Sequence, residues 1–119
     1  MTKPNFKSTY SLEQRQEEAQ KVLIKYPDRL PVIVEKQKTA TINDIDKTKF
    51  LVPGDLTMGQ FIHIIRKRVK LKASEAIFVF INNSIPSSSN TMAQIYENSK
   101  DEDGFLYVVY ANENTFGSF

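Results

Sequence analysis

Apolar residues change period several times along this chain, and each change marks an element. Leu12, Ala19, Val22, Leu23 and Tyr26 recur at helical spacing, with Glu13, Gln16, Glu17 and Lys21 elsewhere around the turn. Ser11 followed by Gln14 is a capping box, in which each side chain satisfies an orphan backbone N–H at a helix start. Pro27 drives Tyr26 out of helical geometry, so this helix is predicted to stop near Lys25. Pro4 to Ser8 has room for one short turn ahead of it. Val32-Ile33-Val34 is a β-branched run within Arg29 to Lys36 and predicts a strand, with Pro31 placing its beginning at a sheet edge or outside the ladder.

Lys49 to Val52 predicts a second short strand, closed by Pro53-Gly54. Thr57 with Gln60 repeats the capping box and opens a helix with Met58, Phe61, Ile62, Ile65 and Val69 as its apolar stripe. Ala76 to Ile81 is apolar at every position, as a strand covered on both faces would be, and Asn82-Asn83 turns it back. Thr91 with Gln94 starts a short helix expected to run through Tyr96, and Phe105 to Tyr110 forms the last strand. The expected order is helix, strand, strand, helix, strand, short helix, strand. This is an α+β fold with the doubly buried strands at the centre of the sheet, helices on one face and extra helical cover from the N-terminus.

Composition narrows the function classes. The chain has 119 residues, 40% of them hydrophobic, with eight Phe, five Tyr and no Trp, so one self-supporting core is expected. The absence of Cys removes disulfides, thiolate metal sites and a thiol nucleophile, and fits a reducing cytoplasm. Met1 to Asn5 lacks the apolar run of a signal peptide, and no apolar run approaches the length of a membrane span, so a soluble, cytoplasmic protein is expected.

Candidate chemistry is sparse. His63 is the sole histidine and has no metal-ligating neighbours or evident nucleophile, so it is read as a surface or structurally satisfied residue. Asp101-Glu102-Asp103 lacks the alternating spacing of a calcium loop and reads as a solvated turn. The glycines are too scattered for a phosphate loop. No enzymatic activity, cofactor or metal is expected. Net charge is +2, and the cations from Arg66 to Lys72 suit a helix C-terminus, with no interleaved aromatics to suggest nucleic acid. An acidic peptide or anionic lipid is the better match for them. More telling is Lys49 to Val52. A short strand ending at Pro-Gly can lie at a sheet edge and accept an added peptide strand, although Phe50, Leu51 and Val52 would read equally as ordinary core residues by periodicity.

Six collinear segments add a resemblance. They are Tyr26 to Lys36, Phe50 to Thr57, Gly59-Gln60-Phe61, Ile65-Arg66-Lys67-Arg68, Asp101 to Val108, and Glu113-Asn114-Thr115-Phe116-Gly117. Together they resemble the autophagy ubiquitin-like modifiers of the GABARAP type, nearly without gaps from Phe6 onward. The resemblance implies a ubiquitin-like β-grasp fold, a four-stranded mixed sheet with helices packed on it and two additional N-terminal helices. It divides the chain into an N-terminal helical extension (1–26), the ubiquitin-like core (27–111) and a flexible tail (112–119).

It also implies that a processing cysteine protease cuts after Gly117 and removes Ser118 and Phe119. Activating and conjugating enzymes would then transfer the Gly117 carboxyl to phosphatidylethanolamine, attaching the protein to autophagosome membranes. Receptors and adaptors carrying aromatic-x-x-aliphatic motifs would dock along the Lys49 to Val52 edge. By the same resemblance, Glu18, Val22, Pro31, Lys49, Leu51 and Phe105 would line an aromatic pocket. An aliphatic pocket would use Phe50, Val52, Pro53, Leu56, Phe61, Ile64 and Ile65, with Arg68 facing acidic flanks. Strand alternation fits this split, because Leu51 points opposite to Phe50 and Val52. Tubulin is left open as a partner of the N-terminal helices. Tyr10-Ser11 stands where relatives often carry His-Pro, and Lys38 and Thr41 also depart from the family pattern. The competing reading is a non-conjugated soluble trafficking adaptor that uses the peptide groove alone.

Overall fold

The computed structural model describes residues 5–113. Three capping boxes fix the three longer helices where the sequence places them. In each, the N-cap hydroxyl (Ser11, Thr57 or Thr91) accepts from the N–H of a Gln three residues on, whose side chain accepts from the cap N–H in return. They open α2 (Leu12–Lys25), α3 (Met58–Val69) and α4 (Met92–Ser99), preceded by a single turn, α1 (Phe6–Thr9). The strands are β1 (Arg29–Lys36), β2 (Lys49–Pro53), β3 (Phe78–Phe80) and β4 (Leu106–Ala111). α4 runs three residues past Tyr96, because nothing before Lys100 breaks it.

The strands form one mixed sheet in the order β2-β1-β4-β3, with β1 and β4 parallel and the outer pairs antiparallel. β1 and β4 are therefore central, and both read as near-continuous apolar runs. Alternation sends β1 side chains to opposite faces. Val32 and Val34 join Phe50, Val52, Met58, Phe61, Ile65 and Val69 in the larger core beneath α3. Ile33 faces the other way and packs with Ala19 of α2 and Phe105. The sheet thus lies between α3 and α4 on one face and the N-terminal helices on the other.

Two expectations about strand placement are sharpened. Ala76 to Ile81 does not form a central strand. Only Phe78–Phe80 pairs, and it pairs as the edge beside β4. The run is apolar because Val79 and Ile81 reach the main core while Phe80 is also buried. Asn82 and Asn83, at φ 51° and 63°, then turn the chain over an Ile81–Ser84 bridge and end the ladder. Pro31, by contrast, lies inside β1, opposite Leu51. The Val34 N–H donates to the Thr48 carbonyl, so even-numbered residues of β1 hydrogen-bond to β2 and odd-numbered ones face β4. The β4 ladder begins only at Val32, so the missing N–H of Pro31 leaves no gap in it.

Gly104 precedes β4 at φ 92°, and a Cβ there would meet the Ala19 Cβ at 3.1 Å. The turn into β4 and the seat of α2 therefore depend on this glycine. Gly104→Ala is expected to cost about 1–3 kcal/mol from the backbone conformation alone, seen as a lower urea midpoint.

Candidate functional site

Edge position follows from strand order. β2 pairs with β1 on one side and with no strand on the other among the described residues. Since Phe50 and Val52 direct their backbone groups to β1, Lys49 and Leu51 direct theirs outward. Arg29 reaches round from β1, its Nη1 lying 3.4 Å from the outward Leu51 carbonyl. An added strand can pair with this short stretch. Side chains of β2 alternate in the same way. Phe50 and Val52 are buried toward α3, whereas Leu51 is half-buried on the α2 side.

On the α2 side, four of the residues assigned to the aromatic pocket meet in two pairs. Pro31 faces Leu51 in register, and Lys49 Nζ lies 3.5 Å from Glu18 Oε2, bridging β2 to α2. Val22 and Pro31 are buried. Phe105 is wholly enclosed, with the Phe6 ring edge-on against it at 5.1 Å between centroids. Beside this group lies an open cleft of about 390 Å³ that shares only Glu18 and Lys49 with it. Its other walls are Phe6, Tyr10, Gln14, Arg15, Glu17 and Lys21.

On the α3 side, Phe50 and Phe61 meet edge-on at 5.7 Å, with Val52 and Ile65 also inside the core. Pro53, Leu56 and Ile64 remain half-exposed above them. The first four are thus a floor, and the last three a surface. Arg68 stands at the rim, its guanidinium 5.9 Å from the Phe50 ring centre and 3.6 Å from Asp46. Lys47 covers the same ring at 5.1 Å. His63 is exposed on α3.

The N-terminal helices are held by charge as well as by rings. Asp103, expected in a solvated turn, is instead buried, with no side-chain exposure. Its Oδ2 accepts from Arg15 Nη1 at 2.6 Å and from the Tyr107 hydroxyl, and its Oδ1 accepts from the Phe105 N–H at 2.8 Å. A buried carboxylate is tolerated here because a cation and two further donors saturate it. Burial and the neighbouring Asp103 push the Tyr107 hydroxyl well above its usual range, so it stays a donor. Asp101 is partly buried, which opposes its charge. Lys7 at 2.6 Å, the Asp103 N–H and Arg15 outweigh that and hold its carboxyl below the ordinary value. The Phe6 N–H completes the anchor by donating to Glu35 Oε2 at 2.7 Å.

A family model described as "Autophagy protein Atg8 ubiquitin like" matches residues 14–117. This chain belongs to the Atg8 family. Autophagy-related protein 8B of Oryza sativa subsp. indica is 55% identical over 117 residues, covering 98% of each chain. Autophagy-related protein 8a of Arabidopsis thaliana is 55% identical over 118 residues, covering 99% of this chain and 97% of that one. The crystal structure of Trypanosoma brucei ATG8 superposes with a TM-score of 0.87 at 50% identity, over 97% of this chain and 99% of the other. The ubiquitin-like fold expected from the sequence is thereby shown.

Within this Atg8-family chain, Gly117, Ser118 and Phe119 lie outside the described residues. The Arg15–Asp103–Tyr107 network and the cleft walls Phe6, Tyr10 and Gln14 escaped the sequence reading. The one available signal was Phe6, a lone large apolar residue in a polar N-terminal stretch. Among the described residues no cluster of His, Asp or Glu is arranged to hold a metal ion, and no helix is long and apolar enough to cross a membrane. Arg15→Met strands the Asp103 carboxylate where water is excluded. It is expected to cost about 3–5 kcal/mol, measured by urea unfolding, and adding Asp103→Asn should restore part of that loss.

Proposed function

We propose that this Atg8-family protein is a ubiquitin-like modifier joined through Gly117 to phosphatidylethanolamine, and that its β2 edge recruits receptors and autophagy factors to the forming autophagosome. The observation that carries the docking half is the free edge of β2, whose alternate side chains serve two different surfaces. An aromatic residue and an aliphatic one separated by two positions point to opposite faces of an extended peptide. One residue would meet the Leu51 side and the other the Pro53, Leu56 and Ile64 side. Backbone pairing to Lys49 and Leu51 would supply affinity, and the two pockets selectivity.

Conjugation rests on family membership, in which the match extends to Gly117. A processing cysteine protease would cut the bond to Ser118, releasing Ser118-Phe119 and a glycine carboxyl. The activating enzyme would first join that carboxyl to the phosphate of a nucleoside triphosphate, releasing pyrophosphate. An enzyme thiol would then displace the nucleoside monophosphate, and the resulting thioester would pass to the conjugating enzyme. Attack of the phosphatidylethanolamine amine on the thioester carbonyl forms the amide and releases the enzyme thiol. Glycine suits each step, since without a Cβ its chain enters a narrow cleft and its carbonyl is open to attack. In this reading the protein supplies no catalytic group of its own and moves from cytoplasm to membrane by acquiring a lipid.

Gly117→Ala is expected to abolish membrane attachment, read by fractionation and by intact mass of the protein recovered from cells. Normal membrane attachment of that variant would overturn the covalent reading. Leu51→Ala is expected to weaken binding of an aromatic-x-x-aliphatic peptide at least about fivefold, by calorimetry, with conjugation left intact.

A further inference from the structure

α2 buries Ala19 and Val22 and leaves its opposite face in solvent. Leu12, Gln16, Gln20, Leu23 and Ile24 recur along that face at helical spacing, all of them exposed. Five of the six large apolar residues exposed among the described residues lie on α2 or within two positions of it. They gather at its two ends, Tyr10 and Leu12 at the start and Leu23, Ile24 and Tyr26 at the finish. Ile24 is 73% exposed, more than any of the others. Scattered single apolar residues need no explanation, but a cluster of this kind marks a contact surface.

Between the apolar ends, charge decides what can cover the face. Glu13 and Glu17 come first and Lys21 and Lys25 follow, at matched distances from the middle of the helix. Glu17 and Lys21 pair at 3.6 Å, but both side chains are 71% exposed, so that bond is weak and readily exchanged. An anionic membrane suits Lys21 and Lys25 and is repelled by Glu13 and Glu17. An acidic partner helix meets the same conflict. The same helix reversed answers both signs in order. Laid antiparallel about the centre of α2, a second copy sets each Glu17 against the partner's Lys21 and each Glu13 against the partner's Lys25. The same register lays Leu23, Ile24 and Tyr26 of each copy over the partner's Tyr10 and Leu12. Such a contact is self-complementary and closes as a two-fold dimer.

We propose that the outer face of α2 is a self-association surface that pairs two copies of this chain antiparallel, with Ile24 as its main apolar contact. The proposal is independent of the β2 docking reading. α2 has 14 residues and is therefore about 21 Å long. A contact of that length belongs with transient interfaces, under about 1,200 Å² in area, and forms as local concentration rises.

Sedimentation equilibrium of the full chain, from micromolar to millimolar concentration, should show a monomer–dimer equilibrium. Ile24→Gln should weaken it at least about tenfold, with the urea midpoint unchanged because the side chain is exposed. Glu17→Lys and Lys21→Glu should each weaken it at least about fivefold, since like charges then meet across the two-fold axis. An equimolar mixture of these two variants should recover the dimer, because one chain then carries two cations and the other two anions at the paired positions. Recovery also shows that both variants are folded. A chain that stays monomeric at millimolar concentration overturns the proposal. Association indifferent to Ile24, or a mixture that recovers nothing, does the same. Vesicles of phosphatidylcholine and phosphatidylserine supply the remaining arm. Ile24-dependent binding to them by a monomeric chain assigns the face to lipid and overturns the dimer.

Discussion

β1 is closed in on every side, and the rest of the molecule is arranged around that constraint. Val32, Ile33 and Val34 have no exposed surface, and the strand hydrogen-bonds to β2 along one edge and β4 along the other. A strand so enclosed must carry apolar residues on both faces. It therefore demands two helical layers, α3 on the Val32 and Val34 side and α2 on the Ile33 side. The second layer is what separates this fold from a sheet with helices on one face alone. It places Glu18 of α2 beside the β2 edge, where it pairs with Lys49.

The proposed docking surface is thus a by-product of how the core is closed. Residues that hold β2 against α3, namely Phe50, Val52, Phe61 and Ile65, also form the floor beneath Pro53, Leu56 and Ile64. On the other face, α2 stays in place through Ala19 against Gly104 and through Arg15 on Asp103. Each wall of the site is rigid because each is anchored in the core a residue or two away. Lys49, Glu18, Lys47 and Arg68, the groups at the rims, are held only by partly exposed ion pairs and ring contacts. Such contacts contribute little to stability and yield readily to a partner.

Local chemistry was legible in the sequence, and long-range chemistry was not. The three capping boxes are each settled within four residues, and all three formed at the positions read from Ser11, Thr57 and Thr91. The alternation of Phe50, Leu51 and Val52 likewise needs only the pleat of a strand. Asp103 is different. What makes it a buried anchor instead of a solvated turn residue is Arg15, 88 positions away in the chain. β3 failed for a related reason, because an apolar run records burial but not the number of neighbouring strands. The docking of Phe6 on Phe105 depends equally on a contact between distant segments.

Both edges of the sheet are short, and that has a consequence for how these molecules behave in a crowd. β3 offers three residues and then turns away over Asn82 and Asn83. β2 offers five, opening on a lysine and closing on Pro53, whose nitrogen cannot donate to a neighbouring strand. Such an edge can receive one brief segment but gives poor purchase for sheet-to-sheet stacking of identical copies. Even at high local concentration, the protein can in this way keep a strand edge open without templating its own aggregation.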